Sequence, residues 1–318
     1  MSHDQFEVLS NQAVAVCAAA YFLALLAHLA EWATARSVPA TATAEESGTA
    51  SAAGGGVDVL ERVDVDTDRV ARFARIGVVL TTVAAGVHLV AVASRGLAAD
   101  PVRVPWGNMY EFTLTATLMV TIGYLLLYRR FSLDWLSPVV TGFVLVTLMV
   151  DVLLLYTPVV PLRDALQSPW LVIHVIAAII ATGAFTLGGM CSALYLVKER
   201  WPNTREGGYL SRLPGLDALD RMAYRTQAFA FPVWTFAALI AGPIWAQHAW
   251  GRYWGWDPKE VWAFITWVVY AAYLHARATA GWKGRAAAIV ALIGLATLWF
   301  NFVGINFFFG SGSMHSYA

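Results

Sequence analysis

Eight stretches of this 318-residue chain are long and apolar enough to cross a bilayer as helices. They lie at roughly 12–34, 73–94, 109–128, 137–156, 170–196, 228–247, 261–280 and 286–308. Crossing the hydrocarbon takes about 20 such residues, and every backbone polar group there must be satisfied within the segment or in a closed barrel. The chain is therefore expected to be an all-α polytopic membrane protein with about eight transmembrane helices. Composition agrees: 58% of residues are hydrophobic and 13% charged, about half the ~25% charge of a soluble domain. A disordered chain, a coiled coil and a soluble nucleic-acid binder are poor readings. The 21 basic residues balance the 21 acidic ones, so no global field draws a polyanion, and no nucleic-acid partner is expected. Cys17 and Cys191 lie far apart in apolar stretches, which excludes a disulfide framework, a CxxC motif and a cysteine zinc site.

The first apolar run is read as a retained helix. Asp4 and Glu7 precede it with no Lys or Arg, and it exceeds the ~7–15 residues of a signal-peptide core. Basic residues set the orientation. Of the 21, 16 fall in the odd-numbered loops and their flanks, from Arg36 to Arg285. Both termini, and the loop joining the sixth and seventh helices, are therefore expected on the extracytoplasmic side. Residues 35–72, rich in Ala, Ser, Thr and Gly with scattered acids, read as a flexible cytoplasmic linker. The basic loop 198–226 is expected to end in a short amphipathic helix near LDALDRMAYR.

The informative stretch is 245–267, which holds six of the 14 tryptophans: Trp245, Trp250, Trp254, Trp256, Trp262 and Trp267. An interfacial aromatic belt would spread tryptophans over many helix ends at both interfaces. Here they concentrate in one loop and its flanks, among Gly251, Gly255, Asp257, Lys259 and Glu260. Glycines admit a flat ligand close to the backbone, and indoles offer broad faces to stack on it. The pattern points to a large planar aromatic ligand. Asp257 before Pro258 also suits a helix start, so these acids can be capping groups without chemistry of their own.

Seven histidines narrow the ligand. His174, just after Pro169 and Trp170, and His315, in the tail, both reach the side of the tryptophan loop. Two imidazoles on opposite faces of a planar ligand are the bis-histidine arrangement of haem iron. His275 follows Glu260 by 15 residues, which places it roughly 22 Å deeper on its helix. It implies a second site within the bilayer, where an ionisable group is costly and is by default a functional candidate.

At this point WGRYWGWDPKEVWAFITWVVYAAYLHAR resembles the tryptophan-rich (WWD) signature of the haem-handling protein superfamily. Within it the chain is most similar to the CcsA/ResC branch of the System II cytochrome c biogenesis apparatus, called CcsB in some lineages. The resemblance runs from about residue 70 to the C-terminus. Beyond the first transmembrane helix (1–34) and the linker (35–72) read above, it implies a haem-handling membrane domain (73–318). It further implies a plasma-membrane subunit that, with a ResB/CcsB-type partner, carries haem b outward as the haem-binding part of a holocytochrome c synthase. Haem is then positioned for thioether attachment to the Cys-x-x-Cys-His motif of apocytochrome c, with thioredoxin-like proteins supplying reduced thiols.

In residues, the resemblance implies outer axial ligands His174 and His315. It implies haem contacts from Trp250, Trp254, Trp256, Asp257 and Trp262, and an inner ligand His275. The mate of His275 belongs to the partner subunit in the family pattern, with His28 and His88 as alternatives on this chain. Arg252 and Lys259, and less directly Arg103 and Arg163, are candidate partners for the haem propionates. A haem exporter without ligation activity and a b-type haem subunit of a respiratory complex are the alternative functions.

Overall fold

The computed structural model describes residues 1–35, 56–161, 166–201, 209–309 and 313–315. Helices dominate it: α1 His3–Thr34, α2 Gly56–Leu97, α3 Met109–Tyr128, α4 Ser137–Val150, α5 Pro169–Arg200, α6 Tyr209–Arg212, α7 Leu216–Thr235, α8 Gly242–Trp250, α9 Pro258–Thr279, α10 Gly284–Trp299 and α11 Ile305–Phe308. Short π-helical turns follow α4 (Asp151–Leu155), α7 (Phe236–Ala241) and α10 (Phe300–Gly304). The protein is a multi-pass, all-α membrane protein.

Among the described residues, seven helical stretches are long and apolar enough to span a membrane. The eighth expected span is present as the 22-residue α9, which falls short of the others in hydropathy. Lys259, Glu260, His275 and Arg277 contribute charge or polarity to it, and its Trp and Tyr side chains favour the interface over the hydrocarbon.

Two other boundaries differ from expectation. Helix α2 begins at Gly56, so the expected linker is helical from there on, while 36–55 lie outside the described residues. After the glycine run no Pro or Gly interrupts 57–76, and nothing local stops the helix. The amphipathic segment near LDALDRMAYR does not form a separate short helix. It is the first half of α7 and continues through the π turn into α8, a single path from Leu216 to Trp250.

The chain forms two compact units: residues 1–98, 120–154 and 203–213, and residues 99–119, 155–202 and 214–318. In the first unit α1 packs along α2, and α4 lies against α1. The buried face of α1 is Ser10, Ala13, Val14, Cys17, Tyr21, Ala24, Ala27, His28 and Glu31, the three- and four-residue spacing of one helical stripe. Opposite it, Ala84 and Ala91 of α2 are fully buried. Such small residues let membrane helices approach closely, so dispersion and polar contacts replace the hydrophobic drive that lipid does not supply.

In the second unit α5 packs on α7 and α10, and α9 on α10. Phe185 of α5 stacks on Tyr270 of α9, with centroids 3.7 Å apart. Gly294 leaves room for that ring, because a Cβ there would lie 2.9 Å from it. Away from the tryptophan loop, Arg277 makes a bidentate pair with Asp220 at 2.7 and 2.9 Å, and Asp220 also accepts from the Gly284 backbone N–H. This fork ties the end of α9 to α7 and to the start of α10.

Candidate functional site

The second unit contains a cavity of about 190 Å³ beside the tryptophan loop, lined among others by His174, Trp245, Trp254, Lys259, Asn301 and His315. Its walls come from several elements, each placed by a local cause. Helix α5 starts at Pro169, with Ser168 Oγ accepting from the Trp170 N–H at 3.2 Å. Pro at the first helical position and a Ser cap fix that start, and His174 follows one turn later.

The π turn Phe236–Ala241 then meets His174. A π turn inserts one extra residue into a helix and loosens its hydrogen-bond ladder. Here the Ala237 carbonyl accepts from His174 Nδ1 at 2.9 Å. With Nδ1 carrying the donated hydrogen, Nε2 is the lone-pair nitrogen, the tautomer an iron ligand needs. Gly242 lets the ring sit there, since a Cβ would come within 3.2 Å of it.

On the other side, Asp257 caps α9. Its side chain accepts from the Lys259 N–H, and Glu260 accepts from the Asp257 and Gly255 N–H groups. This capping box satisfies donors that a helix start leaves open. Asp257 does more than cap. Its Oδ1 accepts from Ser313 Oγ at 2.7 Å, its Oδ2 from the Met314 N–H at 2.6 Å. His315 Nδ1 lies 3.1 Å from Oδ1, off the line of a hydrogen bond. Burial opposes the charge of Asp257, but the contacts with His315, Ser313 and the Lys259 backbone outweigh it and hold the carboxyl well below the usual range. The carboxylate thus clasps the tail segment that carries His315. Lys259 Nζ adds a hydrogen bond to the His315 carbonyl at 3.1 Å.

Trp245 is the common neighbour of both imidazoles. It lies nearly parallel to His174 (centroids 5.9 Å) and edge-on to His315 (5.4 Å). Trp250 meets His315 edge-on at 4.5 Å. The structure therefore brings together His174, His315, Trp245, Trp250, Trp254 and Lys259.

Other expected residues are placed elsewhere. Trp256 is 68% exposed, with a left-handed φ of 57°, and touches Trp254 edge-on. Trp262 packs on Phe300. Arg252 folds back over Gly255, where a Cβ would overlap its guanidinium, and donates to Met314 Sδ at 3.0 Å. Arg103 is engaged by Glu111 in a two-point pair at 2.6 and 3.2 Å, and Arg163 lies outside the described residues. His275 is exposed on α9, outside the cavity wall. In the first unit His28 is buried, 3.6 Å from Glu31 and 3.5 Å from Thr81, and His88 is buried 3.4 Å from the Tyr21 hydroxyl.

Asn301 was not anticipated. It sits in the third π turn, lines the cavity, and its buried Oδ1 has no hydrogen-bond partner among the described residues. The rule that singles out a polar side chain in an apolar helix would have found it.

Residues 106–311 match the family model described as cytochrome C assembly protein. The chain belongs to this family. A CcsA cytochrome c biogenesis protein from Trieres chinensis is 35% identical over 249 residues, covering 67% of this chain and 78% of the relative. One from Prochlorococcus marinus is 35% identical over 244 residues, covering 67% and 75%. A third, from Chlamydomonas reinhardtii, is 42% identical over 158 residues, covering 50% and 43%. These relatives make the chain a CcsA-type protein with a role in cytochrome c maturation. Among solved structures, a cytochrome c haem lyase, CcmF, superposes with a TM-score of 0.60 at 18% identity. It covers 96% of this chain, which spans about half of that protein's length (49%), and it shares the fold.

Proposed function

We propose that this CcsA-type protein binds haem b as its substrate between His174 and His315 and presents it for thioether attachment to apocytochrome c. One observation carries the reading. Two imidazoles border the same tryptophan-walled cavity: His174 donates from Nδ1 to the Ala237 carbonyl, which leaves Nε2 as its ligand nitrogen, and His315 stands with Nδ1 3.1 Å from the Asp257 carboxylate. Metal-binding histidines are oriented in this way by a carbonyl or carboxylate on the far ring nitrogen. The donor chemistry therefore fits haem iron. The position of Lys259 in the cavity wall supports a charge-assisted contact with a propionate, whereas Arg103 is engaged by Glu111.

Haem supplies the iron and the vinyl groups to which two cysteine thiols add; the chain's contribution is positional. His174 and His315 hold the iron, and indoles restrict the plane. Asp257 keeps the segment that carries His315 in place, and the apoprotein's own histidine displaces one of the two ligands. Cys17 and Cys191 are free and buried and take no part in the thiol chemistry. A ResB/CcsB-type partner in the plasma membrane, with the tryptophan loop on its extracytoplasmic face, completes the reading. Exposed His275 is then the inner ligand, open to a mate from that partner, and His28 and His88 remain internal.

The test is the pyridine haemochrome and absorption spectrum of the purified chain, expressed with and without the partner. Haem present with the partner, and lost from the outer site in His174→Ala and His315→Ala, is expected. Full haem content and full cytochrome c maturation in both variants would overturn the ligand assignment.

A further inference from the structure

One polar side chain in the cavity wall takes no part in holding iron. Asn301 stands on the π turn Phe300–Gly304, between two anchored aromatic neighbours. Phe300 lies against Trp262 with centroids 4.3 Å apart, and Phe302 against Phe112 at 4.8 Å. Gly304 admits the Phe300 ring, since a Cβ there would come within 2.6 Å of it. The backbone of Asn301 is thus fixed from both sides, and the residue lines the cavity together with His174, Lys259 and His315. Its Oδ1 is buried without a hydrogen-bond partner, and among the described residues nothing accepts from its Nδ2. An amide left unpaired in an apolar wall is costly. Packing alone would be served better by a leucine of similar volume.

On the reading that haem b fills this cavity, the porphyrin rim offers one kind of polar group. Methyl and vinyl groups neither donate nor accept; the two propionates accept, and a carboxylate taken out of water needs donors. Lys259 brings a single positive charge, and one of its Nζ hydrogens goes to the His315 carbonyl at 3.1 Å. Glu260, also in the wall, is itself an acid, with Oε2 accepting from the Gly255 and Asp257 N–H groups. It repels a carboxylate. Asn108 spends its Oδ1 on the Glu111 N–H at 2.8 Å. Asn301 has two uncommitted N–H hydrogens, and an amide without partners can turn either end to a ligand. Being neutral, it adds no charge to the wall while the cavity is empty.

We propose that Asn301 binds a haem propionate, its Nδ2 donating to the carboxylate, and so fixes the rotation of the porphyrin between the two imidazoles. A ring held at the iron alone can spin about the axis through His174 and His315. A contact at the rim stops that spin, and the vinyl groups are then placed for the incoming thiols.

The test is a spectrophotometric titration of the full chain in lipid nanodiscs with haem and with its dimethyl ester, whose propionates are capped. The wild type is expected to take up both with a histidine-ligated spectrum and to prefer haem. Asn301→Leu should weaken haem binding roughly 10–100-fold, the worth of a hydrogen bond to a charged group, and leave ester binding unchanged. The preference for haem then shrinks by that factor. An unchanged preference, or an equal loss for haem and ester, would overturn the proposal and leave the histidine ligation standing. A wild type that takes up neither porphyrin defeats the haem reading and this assignment with it. Where Asn301→Leu does not fold by circular dichroism, Asn301→Val is read in the same way.

Discussion

The two units treat their histidines in opposite ways. In the first, His28 lies between Glu31 and Thr81, packed so closely on Gly77 that a Cβ there would come within 2.5 Å of the ring, and His88 is buried against Tyr21. These imidazoles are surrounded by protein on the faces a ligand would need. In the second, His174 and His315 each have one nitrogen beside an oxygen and the rest of the ring on a cavity. The contrast teaches that a histidine in an apolar helix becomes a candidate ligand through what occupies its second nitrogen, and that its depth in the membrane says little.

The largest expected effect breaks the contrast directly. His174→Ala or His315→Ala should abolish outer-site haem in the pyridine haemochrome assay, whereas His28→Ala and His88→Ala should leave that haem in place. Equal loss in all four would erase the distinction.

Next, Asp257→Asn removes the charge that clasps the tail, and haem affinity should fall roughly 10–100-fold, the usual cost of losing an orienting group behind a ligand. A spectrophotometric haem titration reads it. The sign of its pH dependence follows from the depressed folded value. The stability contributed by Asp257 is complete above the unfolded carboxyl range near pH 4 and disappears as pH falls through the lower folded value. Between pH 5 and pH 9 the clasp should therefore be constant, and a loss of the His315 ligation spectrum within that window must come from another group.

Smaller again, His88→Ala should cost about 1–3 kcal/mol by leaving buried polar partners unmatched, measured as a lower thermal midpoint with the haem spectrum unchanged. Smallest, Trp256→Gly relieves the left-handed backbone and should change stability by no more than about 1 kcal/mol, with haem retained. Haem loss in that variant would make exposed Trp256 part of the binding surface.

Much of this was legible in the chain. The apolar runs place the helices because the bilayer allows few alternatives, and Asp257-Pro258-Lys259-Glu260 spells its capping box in order. Three features were not legible. The π turn at Phe236–Ala241 has no composition of its own; it exists because the helix accommodates one residue more than regular winding allows. The grip of Asp257 on Ser313 and Met314 joins residues 56 and 57 apart, and helix-capping rules operate over four. Arg103 read as a free cation because Glu111, its partner, lay inside an apolar stretch where the acid drew no notice.

The π turn beside His174 also has a meaning for how such chains can change length. Removing any one residue between Phe236 and Ala241 would let the path from Leu216 to Trp250 wind as an ordinary α-helix, still long enough to cross the membrane. Because the extra residue is what the π turn absorbs, everything beyond the deletion would keep its face of the helix. Trp245 would stay beside the imidazoles, but the Ala237 carbonyl would return to the helical ladder and leave His174 Nδ1 without its acceptor. A one-residue gap here would be silent for insertion and topology yet would release the ring that the site depends on, so the length of this turn is a sharper marker of a working site than the identity of its six residues.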